Sequence, residues 1–118
     1  MNTLTKTVAL NAVTATTTSA PIAMGDFGKT SIQFVADVTS GNGVFTVQVS
    51  NDGTNWTAYN RLTTNVTNTN SQTDLRASSV TLNTDTTSVV TIPDVFAYLR
   101  VIVTVTTDGT YTATVVTA

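Results

Sequence analysis

Apolar and polar residues alternate along most of this chain with a period of two, the pattern of a β-strand that buries one face. The segment TSIQFVADVT, residues 30–39, is an example, because Ile32, Phe34, Ala36 and Val38 all fall on the same face. Threonine makes up about a quarter of the chain, and its branched side chain, like that of valine, suits a pleated sheet better than a helix. The sequence therefore predicts an all-β protein.

The number of alternating segments predicts the architecture. A chain of 118 residues has room for one domain. Its roughly seven or eight antiparallel strands are too many for a flat open sheet, whereas a β-sandwich or jelly roll would bury both apolar faces. We predict a single domain in which residues 1–29 form an N-terminal strand and a Thr-rich arm, and residues 30–118 form the antiparallel sandwich.

The first predicted hairpin follows from the requirement that apolar side chains share a face, since a one-residue slip would turn them all to the other side. A turn at residues 40–43 puts Phe34 opposite Val49 and Val38 opposite Phe45. These apolar pairs then line one face of the two strands.

The last hairpin is predicted in the same way. A three-residue loop at 107–109, with Gly in the left-handed bulge position, pairs Val105 with Tyr111 and Val103 with Ala113. A two-residue loop would mix apolar and polar faces, so we predict the longer loop here.

The only tryptophan of the chain, Trp56, lies in the polar stretch QVSNDGTNWTAYNRL. A two-residue loop at Asp52 and Gly53 would pair Trp56 with Val49 and so place it in the core, whereas a three-residue loop would turn it to the face of Gln48. We predict the two-residue loop. The complete set of predicted core anchors is Phe34, Phe45, Val49, Trp56, Leu99, Val101, Val103 and Tyr111.

Two further segments are predicted to lack regular strands. Residues 61–79 are mostly polar and read as a long loop or an irregular edge, which in a compact domain indicates a function or a missed strand. Residues 11–29 read as arm and loop. We expect these two segments to contact partner proteins.

The residue types supply little for catalysis. His and Cys are absent, and all seven acidic residues are Asp, several in turn contexts such as residues 51–53. The oxygen-rich stretch SNDGTN matches no complete calcium loop. We therefore expect no enzyme activity, no cofactor and no metal site.

Charge and hydropathy narrow the choice of partners. The net charge is −2, and the five cations, Lys6, Lys29, Arg61, Arg76 and Arg100, are scattered rather than gathered into a phosphate-binding stripe. No segment approaches the roughly 20 apolar residues of a membrane span, and the N-terminus lacks the apolar run of a signal peptide. We expect neither a nucleic acid nor a membrane as partner.

Sugar binding is the alternative from a different class of function. Exposed aromatic rings on a β-sandwich can stack on sugar rings, and the predicted registers leave Phe27, Tyr59 and Tyr98 outside the core. These three residues are therefore candidate ligand contacts. Cross-strand packing or an interface with another protein would explain the same residues.

Two segments carry a family resemblance: FTVQVSNDGTNWTAY, residues 45–59, and VFAYLRVIVTVTTDGTYTATVV, residues 95–116. In them a strand ending in S-x-D-G-x-x-W is followed by a Y-x-R-V strand and a final hairpin that contains Gly. This pattern resembles a β-sandwich module of bacteriophage virion proteins and, more distantly, discoidin-type domains. The resemblance covers residues 30–60 and 92–117.

The resemblance implies a non-enzymatic virion protein that is made in the host cytoplasm and assembles into the particle. Because the chain is almost the module alone, a capsid decoration or cement protein, or another minor capsid- or tail-associated protein, fits better than a receptor-binding tail tip. Its expected partners are copies of itself, with a trimer as one candidate, and other virion proteins such as the major capsid protein. A carbohydrate-binding module and a small jelly-roll coat protein remain the alternatives.

Overall fold

The structure is a computed structural model that describes residues 4–24, 29–38, 41–64, 75–83, 85–106 and 108–118. These residues contain strands and no helix. In chain order the strands are β1 (Thr5–Val13), β2 (Thr17–Thr18), β3 (Ile22–Ala23), β4 (Thr30–Asp37), β5 (Gly43–Ser50), β6 (Thr57–Ala58), β7 (Leu62–Thr64), β8 (Leu75–Ala77), β9 (Val80–Leu82), β10 (Thr86–Ile92), β11 (Tyr98–Val105) and β12 (Thr110–Thr117).

The strands form two antiparallel sheets that pack face to face. Sheet A has the order β1-β12-β4-β10-β7-β8. Sheet B has the order β2-β11-β5-β6, with β3 also paired to β11 and β9 to β5. The predicted all-β sandwich is confirmed. The described residues hold more strands than the seven or eight expected, because several are only two or three residues long.

The core lies between the two sheets. It contains seven of the eight predicted anchors, each at most 2% exposed: Phe34, Phe45, Val49, Leu99, Val101, Val103 and Tyr111. The Phe34 and Phe45 rings stack with their centroids 4.4 Å apart, and Tyr111 meets Phe45 edge-on at 6.0 Å. The period of two therefore identified the buried face of each long strand.

The segment predicted as the first hairpin instead crosses from one sheet to the other. β4 pairs with β10 and β12 in sheet A, whereas β5 pairs with β11 in sheet B. The predicted pairing of Phe34 with Val49 is wrong, and Phe34 meets Phe45 across the core. The alternation of apolar and polar residues indicates which face of each strand is buried. It does not indicate whether two strands are neighbours in one sheet or lie in opposite sheets, because their apolar faces join the same core in both cases.

The last two strands are separated in the same way. β11 lies in sheet B, and β12 lies in sheet A between β1 and β4. The predicted pairing of Val103 with Ala113 is therefore wrong, although both side chains are buried. Gly109 has a φ of +126°, a value that glycine tolerates, and the Tyr111 hydroxyl donates to the carbonyl oxygen of Asp108 at 3.0 Å.

The N-terminal segment is built into both sheets. β1 forms an edge of sheet A next to β12, and it is bulged between Val8 and Leu10 and between Leu10 and Val13. β2 and β3 both pair with β11 at the edge of sheet B. The described part of the predicted arm, residues 11–24 and Lys29, thus includes strands that cover sheet edges.

The polar segment 61–79, predicted as a long loop or an irregular edge, contains the short strands β7 and β8. β7 pairs with both β10 and β8 in sheet A. Residues 65–74 of this segment lie outside the described residues. Two strands follow this segment: β9, which pairs with β5 in sheet B, and β10 in sheet A.

The described residues contain no helix long and apolar enough to cross a membrane.

Candidate interaction surfaces

The turn between β5 and β6 is held by two polar side chains. Ser50 Oγ accepts the backbone N–H of Gly53 at 2.9 Å, and Asp52 Oδ1 accepts the backbone N–H groups of Thr54 and Asn55 at 2.8 Å each. Gly53 has a φ of +77°. The bonds from Asn55 and Thr54 favour the charged carboxylate, so they hold the pKa of Asp52 well below its ordinary value of 3.8.

Replacement of Asp52 by asparagine is expected to destabilise the protein at neutral pH and to have less effect in acid. The folded-state pKa lies below the unfolded one, so the contribution of Asp52 is present above the ordinary value of 3.8 and is lost as the pH falls through the folded-state pKa. Urea unfolding of both proteins between pH 7 and pH 2 measures the difference. A difference that stays constant over this range would contradict the assignment.

This turn is longer than the predicted two-residue loop, and its length sets the register of β6. Val49 pairs with Thr57 rather than with Trp56. A shift of one residue exchanges the two faces of a strand. Trp56 consequently points out of the sandwich, and Tyr59 points in. The wrong loop length therefore led to two wrong predictions, Trp56 inside the core and Tyr59 outside it.

Trp56 lies half-buried on the outer face of sheet B, outside the core cluster. The guanidinium carbon of Arg100 is 4.3 Å from the centroid of the Trp56 ring, a cation–π contact. The Arg100 Nε donates to Gln48 Oε1 at 2.7 Å. Tyr98, two residues before Arg100, lies on the same face. We call Gln48, Trp56, Tyr98 and Arg100 the Trp56–Arg100 cluster.

Replacement of Trp56 by alanine is expected to lower the free energy of unfolding by only about 1 kcal/mol, because a partly exposed cation–π contact is weak. A tryptophan sealed in the core would cost about 3–5 kcal/mol. Chemical unfolding followed by far-UV circular dichroism measures the loss without relying on tryptophan fluorescence. A loss of about 3–5 kcal/mol would instead indicate that Trp56 is buried in the core.

The three aromatic residues predicted as ligand contacts have different surroundings. Tyr98 is partly exposed on the outer face of sheet B. Tyr59 is only 4% exposed; its hydroxyl donates to Asp94 Oδ2 at 2.7 Å, and its ring meets Phe96 edge-on at 5.6 Å. Phe27 lies outside the described residues. Tyr59 and Tyr98 therefore do not form a shared exposed platform.

Several charged side chains hold turns or connections. Asp85 Oδ1 accepts the backbone N–H of Val38 at 2.7 Å, and Asp94 forms an ion pair with Arg61 at 3.3 Å in addition to its bond from Tyr59. Within the described ranges, no three potential metal ligands are grouped together. These carboxylates are placed to stabilise the fold.

The outer face of sheet A has a different character. Outward-pointing side chains from β1, β12, β4 and β10 form one surface. Its uncharged central part, which we call the Val–Thr face, lies between the outward-pointing Lys6 of β1 and Asp37 of β4. Its members are Val8, Ser31, Gln33, Val35, Thr87, Val89, Thr91, Thr112, Thr114 and Val116. Val8 is 48% exposed, and the other three valines are half-buried.

The molecule is thus an antiparallel β-sandwich with an aromatic and arginine cluster on one outer face and an uncharged Val–Thr surface on the other. Among solved structures, it is similar to the crystal structure of the SPBc2 prophage-derived protein YomS. The TM-score is 0.65 at 17% identity, and the match covers 98% of this chain and 94% of that one. No family model matches the chain, and no curated protein matches it.

At this level of identity the likeness concerns the fold. It shows that the fold of almost the whole chain has a counterpart in that prophage-derived protein.

Proposed function

We propose that this chain is a non-enzymatic structural protein of a bacteriophage particle, most simply a capsid decoration or cement protein or another minor capsid- or tail-associated component. The observation that carries the proposal is the prophage-derived structural neighbour, which matches the sandwich over nearly its full length. Such a protein acts by burying surface against its neighbours rather than by chemistry.

The distribution of charge supports an assembly role. Soluble proteins commonly guard exposed sheet edges with charges, whereas the Val–Thr face carries no charge in its centre and has Lys6 and Asp37 only at its ends. Removing such a surface from water at contacts with other subunits stabilises an assembly, and repeated contacts on a symmetric particle reinforce one another. The strands β2 and β3 already cover part of the edge of sheet B, so we place the contacts on sheet faces rather than on the arm.

The proposal is tested on particles released from the strain that carries the gene. Mass spectrometry of purified particles should find the chain in many copies, and antibody labelling in electron microscopy should locate it on the head or on the tail. Particles without the gene product should lose stability to heat or to low salt. Particles that lack the chain altogether would contradict the proposal.

The second candidate is a carbohydrate-binding module, favoured by the Trp56–Arg100 cluster. Tyr98 offers a ring on an outer face beside the hydrogen-bonding groups of Gln48 and Arg100. A glycan array compares the wild type with Tyr98→Ala, and with Tyr59→Phe as a control at a buried ring. Sugar binding that depends on Tyr98 alone would favour this candidate. Assembly of the purified protein into closed particles would instead favour a coat protein.

A further inference from the structure

Positively and negatively charged residues lie at opposite ends of the Val–Thr face. Lys29 and Lys6 lie at one end of sheet A, beside Ser31 and Val116, and both are exposed. Asp37 lies at the opposite end of β4 and is also exposed. None of the three forms an ion pair within the described part of the chain.

A second carboxylate lies near Asp37. Asp85 precedes the first residue of β10, and Thr86 pairs with Ala36, so Asp85 stands next to the end of β4 that carries Asp37. Like charges close together on adjacent strands repel each other. This end of the face is therefore suited to receive positive charge from another molecule.

The geometry of β4 makes the face self-complementary. Lys29 and Asp37 are eight residues apart, about 26 Å along an extended strand. A two-fold axis in the plane of the contact and perpendicular to β4 reverses the strand direction of a second copy. The lysine end of each copy then lies over the aspartate end of the other. The strands of the two copies are nearly antiparallel in this arrangement, which agrees with the tendency of stacked sheets to keep their strand directions within about 30° of each other.

The uncharged centre of the face also suits a second copy. Threonine, serine and glutamine side chains both donate and accept hydrogen bonds, so two such faces can satisfy each other when water is removed. The valines supply the apolar contact. A depression of about 480 Å³ beside Lys29, lined in part by Leu4, Ile92 and Val116, offers room for side chains of the partner.

The available area is sufficient for association. Four strands about 4.8 Å apart and about eight residues long give a face of about 19 Å by 26 Å, or roughly 500 Å². Two copies would bury about 1,000 Å² in total, near the lower limit for a specific interface. The outer face of sheet B is less available, because Trp56 and Arg100 already cover part of it.

We propose that the Val–Thr face packs against the same face of a second copy about this two-fold axis, so that Lys29 of each copy lies over Asp37 of the other. This inference rests on the assembly role proposed above for its choice of a second copy as the occupant. Beyond that role, it specifies which face is buried in the dimer, the symmetry of the dimer, and the pair of charges that sets the orientation of the two copies.

The test is analytical ultracentrifugation of the full chain over a range of protein concentrations at low and high salt. The wild type should form a dimer that weakens with salt. Lys29→Asp or Asp37→Lys alone should raise the dimer dissociation constant by at least about tenfold, because each places like charges together. The double variant, which exchanges the two charges, should restore dimerisation.

Two further variants act at uncharged positions. Val89→Lys puts a charge in the centre of the Val–Thr face and should abolish the dimer. Thr104→Lys adds the same charge at an exposed position on the outer face of sheet B and should have no effect. Circular dichroism checks that each variant is folded. A wild type that stays monomeric, or a dimer lost with Thr104→Lys and retained with Val89→Lys, would overturn the inference.

These outcomes separate the inference from the proposed function. A monomeric wild type that is nevertheless found on phage particles would refute the dimer and leave the virion role in place. A dimer with the expected charge dependence, for a chain absent from particles, would support the inference and refute the virion role.

Discussion

Replacement of Phe34 by alanine is expected to lower the free energy of unfolding by about 3–5 kcal/mol, the range for deleting a buried phenylalanine side chain. Phe34 is completely buried, and its ring stacks on Phe45 of the opposite sheet. The deletion leaves a cavity at the centre of the sandwich that neither sheet can close alone. Chemical denaturation measures the loss, with Val35→Ala as the control on the same strand but on the outer face.

A double-mutant cycle on Phe34 and Phe45 tests the arrangement of the strands as well as the burial. Stacked aromatic pairs couple by about 0.5–1.5 kcal/mol beyond their area. We expect a coupling in this range, because the centroids are 4.4 Å apart. In a simple hairpin of β4 and β5 these two residues would not be opposite each other. Strictly additive losses would mean that the two rings do not meet across the core.

Replacement of Gly43 by alanine should cost about 1–3 kcal/mol, the usual range for overpacking a core. A Cβ at this position would clash with Cε1 of Tyr111 and would lie 2.6 Å from its Cδ1. The Tyr111 ring is fully buried and packed edge-on against Phe45, so it has little room to move. Thermal or urea unfolding measures the effect.

The control for Gly43 is the same change in a background that lacks the Tyr111 ring. In Tyr111→Leu, itself less stable, adding Gly43→Ala should cost little or should stabilise, since alanine restricts the unfolded chain. Gly53→Ala is the matched comparison, because its cost comes from a φ of +77° and should not change with Tyr111. An equal cost of Gly43→Ala in both backgrounds would show that the ring is not the obstacle.

The two interaction surfaces differ in how far the sequence could identify them. The Val–Thr face follows from alternation alone, since its members are the outward partners of buried residues such as Ile32, Phe34 and Val90. Their meeting on one sheet does not follow, because β1, β12, β4 and β10 come from both halves of the chain. The charge pattern of that face is visible only when these strands are brought together.

The Trp56–Arg100 cluster was missed for a local reason. Asp52 and Ser50 hold a turn that is longer than a two-residue hairpin loop, and the pattern S-x-D-G-x-N was the available signal. Such side chains hydrogen-bond to backbone N–H groups further along the turn and so favour wider turns. The choice between two loop lengths decided which face Trp56 would take.

The sequence by itself determined the class of fold and the buried face of each long strand, because the side-chain period of two is a local property of an extended chain. Only the tertiary structure decided which strands are neighbours. β4 and β5, and likewise β11 and β12, could have paired as hairpins with the same buried residues, and instead they lie in opposite sheets. Pairing depends on how two whole sheets fill the space between them, and packing of that kind involves residues far apart in the chain.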